Sequence, residues 1–159
     1  MKKLINIFSV LILAISLCSC SQMPFNGTIE FHDISLTIPE RFIRDSTQSN
    51  DDLWIFEHSN YSEYVIISRK DVTGEVQSSL EDYVEYMHEN GAESEIVTFL
   101  NDSAVLSTYY LEDVFCQEIL FEYNNSFYAV ALRGGTQSGF KEITDTINLI
   151  ELTTNVVSE

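Results

Sequence analysis

The sequence predicts an α+β domain over residues 27–152: a single antiparallel β-sheet packed by two main α-helices. Two observations carry this expectation. Apolar and β-branched runs are joined by links of hairpin length, which suit only antiparallel neighbours. Two other segments space their apolar residues as one helical stripe behind a capping residue.

Residues 28–31 and 34–38 read as two strands joined by His32-Asp33. Pro39 ends the second, because it has no amide to give a ladder. Residues 44–52 are polar and turn-rich, a loop. Residues 53–58 and 63–69 form a hairpin around Ser59-Asn60-Tyr61-Ser62, and 71–77 form another loop. Ser78-Ser79-Leu80-Glu81 is a capping box, with Ser78 as N-cap and Glu81 reaching back to it, so a helix is expected near 78–90. Leu80, Tyr83, Val84 and Met87 form its apolar stripe, and Gly91 stops it in the left-handed conformation.

Strand character returns at 95–100, 104–111 and 114–123, with turns at Asn101-Asp102-Ser103 and Glu112-Asp113. Asn124-Asn125-Ser126 turns the chain into a strand at 127–133. A second helix is expected near 138–150, with Ser138 as N-cap and Phe140, Ile143, Ile147 and Ile150 on its apolar face.

Ahead of the domain, Met1-Lys2-Lys3 precedes an apolar run at 4–17, the layout of an export signal. The run is shorter than the roughly 20 residues that span a bilayer. It ends in Leu17-Cys18-Ser19-Cys20, which resembles the bacterial lipobox. That resemblance implies a lipoprotein signal peptide at 1–19, cleavage before Cys20, and lipid attachment on Cys20 through acyl chains such as palmitate. Residues 20–26 then form a lipidated N-terminus and short tether. Its six residues after Cys20 reach at most about 20 Å, holding the domain close to the bilayer. Residues 153–159 read as a C-terminal tail.

The net charge is −17, and loss of Lys2 and Lys3 with the signal makes it two units more negative. The acids are scattered rather than gathered in a tail. Such a surface repels nucleic acid and anionic lipid alike, so no nucleic-acid partner is expected and the anchor must be acyl chains. Cys116 remains without an intrachain partner once Cys18 leaves and Cys20 carries lipid. It reads as a small buried residue of a strand.

The chain resembles the PsbP-like family over residues 27–152. The likeness rests on Ile34-Ser35-Leu36-Thr37-Ile38-Pro39-Glu40, on Ser78-Ser79-Leu80-Glu81-Asp82-Tyr83-Val84, on the long meander and on the closing helix. Arg41-Phe42 stand where the family usually has Gly and Trp. The resemblance implies a module that binds or stabilises a membrane complex from the outer side without catalysis. The family has no shared site motif, so no functional residue is carried over.

Motifs for chemistry are sparse. His32, His58 and His88 stand apart, none with a second ligand at zinc spacing, and neither G-x-S-x-G nor H-E-x-x-H occurs. Gly134-Gly135-Thr136-Gln137-Ser138-Gly139-Phe140-Lys141 has the glycine spacing of a P-loop, but Phe140 displaces the lysine and no hydroxyl follows it. It reads as a strand-to-helix turn. The acid pairs Asp51-Asp52, Glu81-Asp82 and Glu112-Asp113 offer oxygens for calcium without the loop spacing. Tyr109-Tyr110, Phe115, Phe121, Tyr123, Phe127 and Tyr128, with Trp54 and Tyr64, are candidates for core or for a partner patch.

These readings lead to one expectation: an extracytoplasmic lipoprotein of the cell membrane (or outer membrane, where the cell has one) acting as a non-catalytic binding or accessory module for an envelope protein complex. No catalytic residue, cofactor or metal ligand is assigned, and the protein partner is not named. A small-ligand or metal-ion carrier is the alternative, and a carboxylate-dependent cell-wall glycan hydrolase the third reading.

Overall fold

The computed structural model describes residues 27–58, 60, 62–71 and 79–151. The expected signal, Cys20, the tether, Ser78, the 72–77 loop segment and the 153–159 tail lie outside them. The described chain is mostly β. Ten strands form two antiparallel sheets, with two short helices, and this overturns the expected single sheet packed by two main helices. A three-stranded sheet has the order β1 (Gly27–Phe31), β2 (Ile34–Ile38), β10 (Asn148–Leu149). The seven-stranded sheet has the order β3 (Phe42–Arg44), β4 (Leu53–His58), β5 (Tyr64–Asp71), β9 (Ser126–Arg133), β8 (Val114–Tyr123), β7 (Asp102–Leu111), β6 (Glu93–Phe99).

The split arises at Pro39. The Phe42 amide bonds the Pro39 carbonyl at 3.0 Å, closing a tight turn. That turn carries the chain from β2 into β3, which pairs with β4 in the other sheet. β3 has only three residues, too few for a periodic signal, and it was not expected.

The second helix is the other correction. Helix α2 covers only Gln137–Thr144, capped by Thr136, whose hydroxyl accepts from the Gly139 amide at 3.2 Å, and not by Ser138. Thr146 stops its continuation. Its hydroxyl bonds the Ile143 carbonyl at 2.7 Å and accepts the Thr37 amide at 2.8 Å. The residues meant for the last helical turn instead form β10, with Asn148 opposite Ser35. Helix α1 (Leu80–Glu89) stands where expected, but Ser79 is its N-cap, accepting from the Asp82 amide at 3.1 Å, so Glu81 sits one position early for a capping box. Gly91, at φ +81°, ends it.

Three two-residue turns fold the meander. Leu100-Asn101, Glu112-Asp113 and Asn124-Asn125 all have φ between 49° and 67°, the left-handed pairs whose twist suits a hairpin. None contains glycine. The Leu100 side chain packs against the core, which offsets the cost of a left-handed backbone there.

One face of the large sheet holds Phe56, Val65, Ile67, Ile119, Tyr128, Val130 and Leu132, packed with Phe31, Ile34, Leu36 and Ile38 of the small sheet and Phe140 and Ile143 of α2. The opposite face buries Val105, Ser107, Cys116 and Ala131 at the β7–β9 end, and α1 lies over β6 and β7. Met87, from the expected stripe, is its buried anchor.

Gly134 marks a close approach of two segments. Its φ is +80°, and a Cβ built there would stand 1.9 Å from the Ser62 carbonyl oxygen. Gly134→Ala should therefore destabilise the domain by more than about 1 kcal/mol, read as a lowered midpoint in urea unfolding. An unchanged midpoint would show that the segments can part without cost.

Candidate functional site

The β7–β8 hairpin outruns its neighbours. β6 begins at Glu93 opposite Thr108, and β9 ends at Arg133 opposite Cys116. The tip beyond these positions carries Tyr110, Leu111, Val114 and Phe115. Tyr110 and Phe115 are cross-strand partners with rings meeting edge to face at 5.9 Å. Tyr110 is 71 % exposed and Leu111 48 %. Two contacts brace the tip at its base. The Gly134 amide bonds the Phe115 carbonyl at 2.8 Å, and Arg133 lies 3.5 Å from Glu112.

Beside the tip, β6 is the outer strand of the sheet. A hollow of about 440 Å³ lies along it, lined by the edge residues Glu93, Ser94 and Glu95, by Leu106 and Thr108 behind them, and by His88 and Ala92 at the helix end. His88 Nε2 is 2.8 Å from the Ser94 carbonyl. Gln117, 8 % exposed, gives its side-chain amide to Thr108 at 3.4 Å, while its Oε1 is buried without a hydrogen-bond partner. Ile96 of the same strand is 46 % exposed.

Of the sequence candidates for chemistry, the structure brings His32 to the Asp51-Asp52 pair. His32 Nε2 lies 2.8 Å from the Asp51 carbonyl and 3.3 Å from the Asp52 carboxylate. His58 Nδ1 accepts the Asn60 amide at 3.1 Å, and His88 is in the last turn of α1. No group of three His, Cys, Asp or Glu side chains poised for a metal occurs among the described residues. Asp52 of the first acid pair faces Arg69, Asp82 of the second lies in the first turn of α1, and Glu112-Asp113 form a hairpin turn. The glycine segment is a strand-to-helix turn whose Lys141 is bound to Asp145 at 2.6 Å. Cys116 is buried, and burial pushes its thiol up, away from the reactive thiolate. Cys20 lies outside the described residues.

Of the expected aromatic patch, Tyr128, Phe121 and Phe127 are core residues. Trp54 is half-buried, with the Arg44 guanidinium 3.8 Å above its ring. Tyr110 and its neighbours at the tip form the exposed part. A signal for them existed: apolar residues occupy both faces of the hairpin up to its turn, where one face of a covered strand is usually polar. The edge position of β6 had no such signal, because strand order is not a local property.

Beneath α1 lies a carboxyl group. Tyr83 of the helix donates a hydrogen bond to Glu118 of β8. Burial pushes the Glu118 carboxyl above its ordinary value of 4.5, partly countered by the Tyr83 bond. Tyr109, partly buried beside it, is pushed up to about 12. Ser107 lies opposite Glu118, with its hydroxyl 2.8 Å from that of Ser94, and Arg133 lies opposite Cys116.

No family model matches this chain, and no curated protein matches it. Solved structures do. The solution structure of cyanobacterial PsbP (CyanoP) from Synechocystis sp. PCC 6803 superposes with a TM-score of 0.59 at 9 % identity, covering 83 % of this chain and 96 % of that one. A crystal structure from Bacteroides thetaiotaomicron VPI-5482 gives 0.53 at 12 % identity, covering 80 % of this chain and 50 % of that one. This chain thus spans half the length of the Bacteroides protein. The likeness shows a PsbP-like fold.

Glu118 sets a pH dependence. A carboxyl whose folded pKa is raised adds stability while protonated, below its unfolded pKa, and loses it as pH rises through the folded value. Unfolding midpoints should therefore fall as pH rises above about 4.5 through the raised folded pKa, and Glu118→Gln should flatten that fall. Tyr83→Phe should cost about 1 kcal/mol. Identical pH profiles for the parent and Glu118→Gln would rule out this role.

Proposed function

We propose that this chain is a membrane-tethered, non-catalytic binding or accessory module for a cell-envelope protein complex, held outside the membrane by lipid on Cys20. The observation that carries the reading is the braced hairpin tip, with Tyr110 71 % exposed beside Leu111, Val114 and Phe115. Exposed aromatic and aliphatic side chains on a rigid hairpin lose little side-chain entropy on docking and bury much area, as interface hot spots do. The PsbP-like resemblance points the same way.

The carrier reading has less behind it. The hollow near Trp54, about 390 Å³, is lined by Ser49 and Asn50, whose side-chain oxygens already accept the backbone amides of Ile55 in β4 and Asp52 in the loop. For the hydrolase reading, Glu93 and Glu95 are two carboxylates beside one hollow. Both are exposed to solvent, whereas the acid of a glycosidase works from a dry pocket.

A photoreactive residue at position 110 of the full chain, activated on intact cells, should give a discrete protein adduct, and one at position 30 should not. Equal labelling from both positions, or none, would remove the reading. Tyr110→Ser should weaken capture by about 2 kcal/mol. For the anchor, Cys20→Ala should lose incorporation of a palmitate analogue and either release the domain from the membrane fraction or leave its signal uncleaved. Unchanged labelling would refute the Cys20 assignment.

A further inference from the structure

We propose that the outer edge of β6 receives an extended, basic segment of the partner by strand addition, its lysine or arginine side chains meeting Glu93 and Glu95. This rests on the binding-module reading and names the chemistry of the partner.

The large sheet ends in two edges. β3 is three residues long, whereas β6 is seven. β6 pairs with β7 without a bulge from Glu93↔Thr108 to Phe99↔Asp102. In such a ladder alternate residues point both backbone groups away from the partner strand. The Ser94 carbonyl, bonded by His88 from α1, belongs to that outward set, and Ile96 and Thr98 share its parity. Outward groups on a flat edge are a template for another strand.

Edges are usually closed by proline, charged side chains (above all lysine), a bulge or a covering element, and here α1 reaches the edge at the Ser94 carbonyl through His88. β6 contains no proline and no lysine, and its outer side pairs with no other described strand. It carries two exposed glutamates on the face that lines the 440 Å³ hollow. Neither is in an ion pair among the described residues. Two unpaired carboxylates repel acidic strands. A second copy of this chain, with its own net charge of −17, is repelled as well. A strand with basic residues at alternate positions instead meets both glutamates from one face, because Glu93 and Glu95 are two residues apart. Thr108, which lines the hollow, is two residues from Tyr110 on the same strand, so the edge lies next to the hairpin tip.

The test uses the full-length chain in neutral detergent and a peptide alternating lysine and valine. The peptide should bind and shift the backbone amide resonances of Ile96 and Thr98. Affinity should fall about tenfold or more in Glu93→Lys/Glu95→Lys, and in the parent when alternate peptide amides are N-methylated. Unchanged affinity after either alteration overturns the proposal. So does sedimentation showing a dimer of the chain that these substitutions abolish. The adduct formed at position 110 in cells separates the two ideas. Its persistence in Glu93→Lys/Glu95→Lys overturns strand addition and leaves the binding module standing, and its loss there supports strand addition.

Discussion

β9 is buried on both faces. Of its eight residues only Ala129 and Arg133 keep intermediate exposure, and Val130, Ala131 and Leu132 alternate between the two faces of the sheet. A sheet with such a central strand is stable only if each face is covered. The small sheet and α2 cover one face through Ile34, Leu36, Phe140 and Ile143. Helix α1 lies over the β6 and β7 end of the other, where Met87 is buried and Tyr83 bonds Glu118 of β8. Much of the architecture follows from this demand, including the surface left uncovered. The β7–β8 hairpin runs past both layers, and α1 reaches the β6 edge without closing it.

The same demand explains what the sequence could show. β2, β4 and β8 have the bounds read from their apolar runs, because strand signals are local. The stripe of α1 was legible for the same reason. The division into two sheets was not, since it depends on a turn at Pro39 and on a two-residue strand recruited from the other end of the chain. Ile147 and Ile150 kept helical spacing, yet Thr146 ended the helix by bonding to the backbone. Tertiary pairing overrode periodicity there. Of the candidate site, the aromatic residues were visible as a group, but only packing could sort Tyr110 from Tyr128.

Charge is arranged with similar economy. Among the basic side chains, Arg41 contacts both Glu63 and Glu142, Arg69 meets Asp52, Arg133 meets Glu112 and Arg44 stacks on Trp54. These cations join segments distant in sequence. Within the 45–52 loop the Asp45 carboxylate does equivalent work, beside the side-chain oxygens of Ser49 and Asn50. It accepts bonds from Thr47 and Gln48, which hold it at about 2. The excess of acids is left to face solvent.

The pairing of β10 with β2 has a kinetic side. Asn148 lies opposite Ser35, near opposite ends of the described chain, whereas β6 to β9 are linked by two-residue turns. Short loops close at little entropic cost and long ones later. The meander can therefore nucleate from local contacts, while the three-stranded sheet waits for the last strand to arrive. Until then Ile34, Leu36 and Ile38 have only part of their final cover. A chain growing from its N-terminus would carry this sticky hairpin unfinished through most of its synthesis, a natural substrate for a holding chaperone.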